Sequence, residues 1–165
     1  VVKFEKLGKT MEDLEQSLLS AESFYLATSE CSCWICKKAT RVYAVYANHV
    51  MDHSEGVELE EPVSLSDLSG LNPELAQVIT NVTEDRLRMD FYSTSDRKYY
   101  MNHCEHCGAK ISDFYLFNPD GGFYPWSEED FRKISLVHYE LPLKVEGGYG
   151  IGIASSIFEA KGILT

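Results

Sequence analysis

Two cysteine pairs of identical spacing, Cys33-Trp34-Ile35-Cys36 and Cys104-Glu105-His106-Cys107, stand 67 residues apart in a chain with only one other cysteine, Cys31. Two residues between cysteines let one tight turn aim both sulfurs at a single point. Two such pairs supply four soft ligands, the complement of one tetrahedral ion. The fold is therefore expected to bring residues near 33 and near 107 together, with Cys33, Cys36, Cys104 and Cys107 holding one structural Zn2+. Gly108 follows the second pair and can take positive φ without a Cβ clash, which turns backbone N–H groups toward a thiolate. Lys37 occupies the matching place after the first pair. Cys31 reads as a small residue beside the knuckle. His103 and His106 flank the second pair and are expected outside the ligand set, since four cysteines already close it.

The 165 residues fall in the usual range for one domain, and a chain of that length buries a core without needing metal for want of apolar residues. Five cysteines, an odd number, argue against a secreted disulfide scaffold and for a reducing compartment. No apolar stretch approaches the ~20 residues that span a bilayer. The first ten residues are mixed and charged, so no signal peptide and a cytoplasmic location are expected. The net charge is −11, unevenly spread: from Val42 to Asp85 there are nine acids and neither Lys nor Arg. Such a stretch is either a solvated face or a landing surface for a basic protein. It disfavours direct nucleic-acid binding, which needs clustered cations against phosphate. Asp52, Glu55, Glu58, Glu60 and Glu61 are the acids expected to meet a partner.

Periodicity and turn chemistry predict an α+β fold, a mainly antiparallel sheet with a few short helices. Thr10 before Met11-Glu12-Asp13-Leu14 reads as a helix start, with Leu14 and Leu18 on one face. Phe24–Thr28 and Arg41–Val50 read as strands, the second buried. Residues 52–66 read as an exposed excursion. Asn72-Pro73-Glu74 opens a helix with a capping Asn and an apolar stripe of Leu75, Val78 and Ile79. Leu87, Met89 and Phe91 alternate as a half-buried strand. Phe114–Phe117 reads as a short strand ended by the turn Asn118-Pro119-Asp120-Gly121-Gly122. Ser127 with Asp130 opens a short helix as a capping box. Ile134–Val145 is extended, broken at Pro142.

The two cysteine runs, with Thr40 and Val42 after the first and Asp113-Phe114 after the second, resemble a zinc ribbon built on two rubredoxin-like knuckles. They are similar to a group of uncharacterised bacterial zinc-ribbon proteins. The resemblance covers residues 31–46 and 99–117 of one domain, 1–165; the 67 residues between the pairs depart from the ribbon's usual ~15–20, which reads as a ribbon split by an acidic insertion at 52–85. It supports the metal and assigns no activity. From size and charge, the expected function is a zinc-stabilised protein-interaction module, in its most specific form a bacterial immunity protein that neutralises a basic toxin or effector. The alternatives are a nucleic-acid-associated ribbon acting through a partner, or a thiol redox enzyme.

Other motifs carry less. The run Gly147-Gly148-Tyr149-Gly150-Ile151-Gly152 has Ser155 where a dinucleotide loop needs Gly or Ala, and it reads as a turn before a C-terminal element. His49 and His53 are four apart, as on a metal-binding helix face, but lack further ligands and read as surface residues. No nucleophile–base pair is visible, and no enzymatic activity is expected.

Overall fold

In the computed structural model, residues 17–92 and 96–163 are described. The expected helix start at Thr10–Leu14 lies outside them. The first described element is a strand, β1 (Ser17–Ala21), which contains Leu18. It is followed by β2 (Phe24–Ser32), β3 (Ala39–Ala47), β4 (Met51–Asp52), β5 (Val57–Glu58) and β6 (Val63–Leu71). Then come α1 (Pro73–Thr83), β7 (Leu87–Phe91), β8 (Lys98–His103), β9 (Lys110–Ile111) and α2 (Asp113–Leu116). The last described elements are α3 (Glu128–Lys133), β10 (Ser135–Tyr139), β11 (Leu143–Gly150) and α4 (Ile153–Ala160). Among the described residues the strands form an eight-stranded sheet, ordered β10-β2-β3-β6-β11-β1-β4-β5, and a three-stranded sheet, β7-β8-β9. Every pairing is antiparallel, so the α+β expectation holds. No described helix is long and apolar enough to cross a membrane.

The alternation of β3 explains where the cores sit. Successive side chains of a strand point to opposite faces. Tyr43 and Val45 join one cluster with Leu19, Leu26, Leu65 and Val145, which α1 covers through Leu75 and Ile79. Val42, Ala44 and Tyr46 join the other, which α4 covers through Ala154, Ile157 and Phe158. The second cluster also contains Cys31, Cys33 and Cys104. A strand buried on both faces reads as a near-continuous apolar run, which is why RVYAVYA is so plain in the sequence.

Four local expectations change. Residues 53–58 and 60–61 are exposed and Leu59 half-buried, but β6 then runs between β3 and β11 with Val63, Leu65 and Leu68 buried. The exposed excursion therefore stops at Glu61. Residues 113–116 are a helical turn rather than a strand, because the Ser112 side chain accepts from the Tyr115 N–H and caps it. Asn72 stands at the start of α1 without capping it: its amide donates to Pro142 O and Glu74 Oε2 and its oxygen accepts from Lys144 N, tying the helix to β11. Gly147 and Gly148 belong to β11, at a bulge where a Cβ on Gly147 would stand 2.7 Å from Ser66 O. Only the end of that run, from Ile151, is the expected turn before a C-terminal element. The capping box at Ser127 and Asp130 forms as read.

Candidate metal centre

The first knuckle connects β2 to β3. Cys33 N–H donates to Lys38 O (2.9 Å) and Lys37 N–H returns to Cys33 O (2.9 Å), closing a tight turn. The second connects β8 to β9 by the same plan, Cys104 N–H to Ala109 O (2.9 Å) and Gly108 N–H to Cys104 O (3.0 Å). In each turn an N–H points at the first sulfur: Ile35 to Cys33 Sγ and His106 to Cys104 Sγ, both at 3.4 Å. Lys37 takes φ 64° and Gly108 φ 74°, so both turns demand the left-handed region.

The turns face each other and interleave their sulfurs. Cys33 Sγ lies 3.7 Å from Cys107 Sγ, and Cys36 Sγ lies 3.7 Å from Cys104 Sγ. All four ligand atoms fall within 4.8 Å of one another. A disulfide needs about 2.05 Å, so these sulfurs are not bonded to each other. Four thiolates about 2.3 Å from one ion would sit about 3.8 Å apart along the edges of a tetrahedron. The two cross-knuckle distances match that edge, and the donor set suits a soft or borderline metal ion. These four are the one group of metal-ligating side chains found among the described residues.

Electrostatics favour thiolate at Cys104. Burial alone would raise Cys104, but N–H groups of Cys107 and His106 and hydrogen bonds from the Cys33 and Cys36 thiols outweigh it and bring its pKa down to about 6. Cys31 behaves oppositely: burial first, then the neighbouring Cys33 and Cys104, push it up to about 11. Cys31 sits in β2 opposite Thr40, outside the cluster, as expected for a packing residue.

The cluster stands where the two sheets meet. Strand β6 pairs with β3 only at Tyr46–Ser64 and Ala47–Val63. Further along β3, the fully buried Asn102 of β8 takes over as a side-chain stand-in for a strand. Its Oδ1 accepts from Tyr43 N–H (2.7 Å) and its Nδ2 donates to Tyr43 O (2.9 Å). Glu105 N–H donates to Thr40 Oγ1 (3.0 Å), His106 Nε2 contacts Ala39 O (2.9 Å), and Trp34 Nε1 donates to Lys110 O (2.8 Å). Sequence reasoning gave Asn102 and Thr40 no bridging role, because nothing marks a lone Asn within a strand as a bridge between sheets. His103 is buried and close to Asp90 Oδ2 through Nε2 (2.7 Å), with Met101 O 2.9 Å from Nδ1. His106 is exposed. Neither histidine is in the sulfur cluster.

The acidic candidates separate. Asp52 is 1% exposed, and its Oδ1 accepts from Ser54 and Glu55 N–H, holding the β4–β5 turn. Glu55, Glu58, Glu60 and Glu61 are exposed along or just beyond that hairpin. Glu58 has His49 Nδ1 3.7 Å away, and Glu61 accepts from Ser155 Oγ at 3.4 Å. His53 instead meets Ser20 Oγ at 2.7 Å, so the two histidines serve different neighbours. Compared with protein-family models, curated proteins and solved structures, the chain matches none of them.

Proposed function

We propose that the chain is a zinc-stapled protein-interaction module of zinc-ribbon type, whose acidic hairpin meets a basic protein. In its most specific form the partner is a toxic effector that the module occludes, as an immunity protein does. Zinc is the ion that best suits four thiolates on a tetrahedral edge, and four protein ligands leave no open position for a reacting molecule. Its role is then structural: it joins the knuckle of the large sheet to that of the small one. A reducing compartment such as a cytoplasm would keep the thiolates available.

The observation that carries the interaction reading is the hairpin. Glu55, Glu58, Glu60 and Glu61 are solvent-exposed beside an edge strand, in a stretch without Lys or Arg. Clustered exposed charge accelerates encounter with an opposite charge, and neighbouring apolar contacts then set residence time. Val57, 47% exposed between those acids, is such a contact. Asp52 leaves the proposed contact set because it is consumed by the turn.

The test replaces Glu58, Glu60 and Glu61 by Gln and measures association with a basic partner that co-purifies or is genetically adjacent. A fall in on-rate of about tenfold at low salt, with a flatter salt dependence, is expected. An unchanged on-rate and salt slope would make the hairpin a solvated face and nothing more.

A further inference from the structure

Among the described residues the two sheets end in four edge strands, and these are not alike. β5 and β9 are two residues long and carry Glu58 and Lys110. β7 has five residues, with Arg88 and Asp90 among them. β10, Ser135-Leu136-Val137-His138-Tyr139, also has five, but without Asp, Glu, Lys, Arg or Pro. An edge strand offers unpaired N–H and C=O groups to any other strand, and proteins blunt their edges by shortness, charge or proline. Three of the four edges are blunted in this way, and β10 is not.

β10 is nevertheless firmly built. It pairs with β2 along its whole length, from Ser135–Thr28 to Tyr139–Phe24. Tyr139 stacks on Phe24 with ring centroids 5.3 Å apart, and His138 stacks on Tyr25 at 4.5 Å. Alternate residues of a strand paired on one side turn their N–H and C=O outward. Among the described residues, no backbone group meets them there. Ser135, Val137 and His138 are exposed, Val137 to 53%. Val137 stands opposite Leu26, a buried member of the first apolar cluster, so that apolar face runs out to the edge and ends in solvent.

We propose that β10 pairs antiparallel with β10 of a second copy of the chain, joining two eight-stranded sheets about a two-fold axis at Val137. A two-fold axis through the middle residue makes the edge its own complement and closes the assembly at two copies. In that register Val137 meets Val137, Leu136 meets His138 and Ser135 meets Tyr139, so no like charges stand side by side. The flanks are complementary as well. Lys133 precedes the strand and Glu140 follows it, both exposed. Antiparallel pairing brings the Lys133 end of one copy to the Glu140 end of the other, whereas parallel pairing would join like ends. A strand already ordered by β2 and two ring stacks loses little further freedom on pairing. The contact is small, since five residues span about 17 Å. A reversible dimer with Kd of about 1–100 µM is therefore expected. The inference rests on neither the metal nor the acidic hairpin, which lies at the opposite edge of the sheet.

Sedimentation velocity of the full chain tests this, from about 2 µM to about 500 µM protein. Salt at about 0.15 M screens the repulsion between two copies of net charge −11. A shift from monomer to dimer is expected across that range, with hydrogen exchange at Leu136–His138 slowing as concentration rises. Val137→Lys and Val137→Glu each set like charges across the axis and should weaken association at least tenfold; at an exposed position they should leave the fold intact. Mixed one to one, the two variants should associate with each other, because Lys then faces Glu. A general loss of stability would not produce that mutual rescue. A parent chain monomeric at the highest concentration, whether or not another protein's strand takes the edge, would overturn the proposal. So would exchange at β10 that ignores concentration, variants that dimerise as the parent does, or a mixture that stays monomeric.

Discussion

The knuckle of Cys33 and Cys36 grows from two nine-residue strands of the large sheet, while that of Cys104 and Cys107 hangs between a six-residue strand and a two-residue one. The hydrogen-bond plan is the same in both, and the support is not. The first is rooted in the β2–β3 ladder, paired from Tyr25–Tyr46 to Ser32–Ala39. The second leans on polar pins: Asn102 into Tyr43, Glu105 onto Thr40, and His103 against Asp90. The difference teaches that one turn motif can be held by a ladder or by side chains. It also predicts that damage should travel through the small sheet before the large one.

Metal removal should have the largest effect, because it cuts the link between the two roots. Structural zinc supplies about 10–16 kcal/mol of apparent binding energy in small peptides. Here two apolar clusters remain, so we expect a loss of roughly 5 kcal/mol, or about 10–20 °C in Tm. Elemental analysis should find one zinc per chain before chelation. Hydrogen exchange afterwards should show β7–β9 opening ahead of β2–β3; equal opening of both would end the asymmetry argument. Cys104→Ser should cost more than Cys107→Ser, since Cys104 is fully buried and Cys107 is exposed.

Asn102→Ala comes next. It strands the N–H and C=O of Tyr43, a residue only 7% exposed. Unsatisfied buried groups cost about 1–3 kcal/mol each, so about 2–4 kcal/mol is expected from denaturant unfolding. A loss below about 1 kcal/mol would mean that water or β6 replaces the amide, and that the pins matter less than the metal.

The pin at Asp90 should show itself through pH. The His103 hydrogen bond first, with Phe91 N–H and Lys110 helping against partial burial, holds the Asp90 carboxyl below its ordinary range. A depressed carboxyl stabilises the fold fully above the unfolded carboxylate pKa of about 3.9 and loses that contribution as pH falls through its folded value. Asp90→Asn should therefore cost about 1–2 kcal/mol at neutral pH, and the gap from the parent should close below about pH 4. A gap constant from pH 7 to pH 3 would assign the loss to packing instead.

How much of this was legible beforehand follows from which signals are local. The clustering of the four cysteines was readable because a two-residue spacing fixes a turn whatever surrounds it. The strand read at Arg41–Val50, which ends at Ala47 in β3, the helix at Pro73 and the box at Ser127–Asp130 were readable for the same reason: period, Pro and cap are all within a few residues. The course of β6 was not. In VSLSDLSGL the buried residues are Val63, Leu65 and Leu68, and the step of three hides the strand period. The cause is the left-handed Asp67 opposite the β11 bulge, a tertiary feature. The helical turn at Asp113 failed as a strand because four residues of DFYL are too few to show a period. A cavity lined by Asp67, Arg97 and Asp113 joins β6, the segment before β8 and α2, and no spacing rule connects them. Asp52, read as a surface acid, is a turn residue because its oxygen meets N–H groups two and three residues ahead, a local pattern that composition alone obscures.

The smallest expected effect is the sharpest test of the two knuckles as equivalents. Lys37 and Gly108 occupy the same place, each donating its N–H to the first cysteine's carbonyl, with φ 64° and φ 74°. A side chain in the left-handed region costs roughly 1–2 kcal/mol. Glycine avoids that strain but gives the unfolded chain more freedom, worth about 0.4–1 kcal/mol. A Cβ on Gly108 meets nothing within 4 Å, so Gly108→Ala adds strain without a clash and should cost about 1 kcal/mol. Lys37→Gly relieves the strain, gives back chain entropy, and loses the Lys37 Nζ bond to Trp34 O (2.8 Å), an exposed contact. These terms nearly cancel, so its stability should stay within about 0.5 kcal/mol of the parent. Denaturant midpoints of the two variants, both metal-loaded, decide the matter. If Lys37→Gly is as damaging as Gly108→Ala, the Lys37 ammonium is closing its own turn from outside, and the first knuckle, like the second, depends on a side-chain pin.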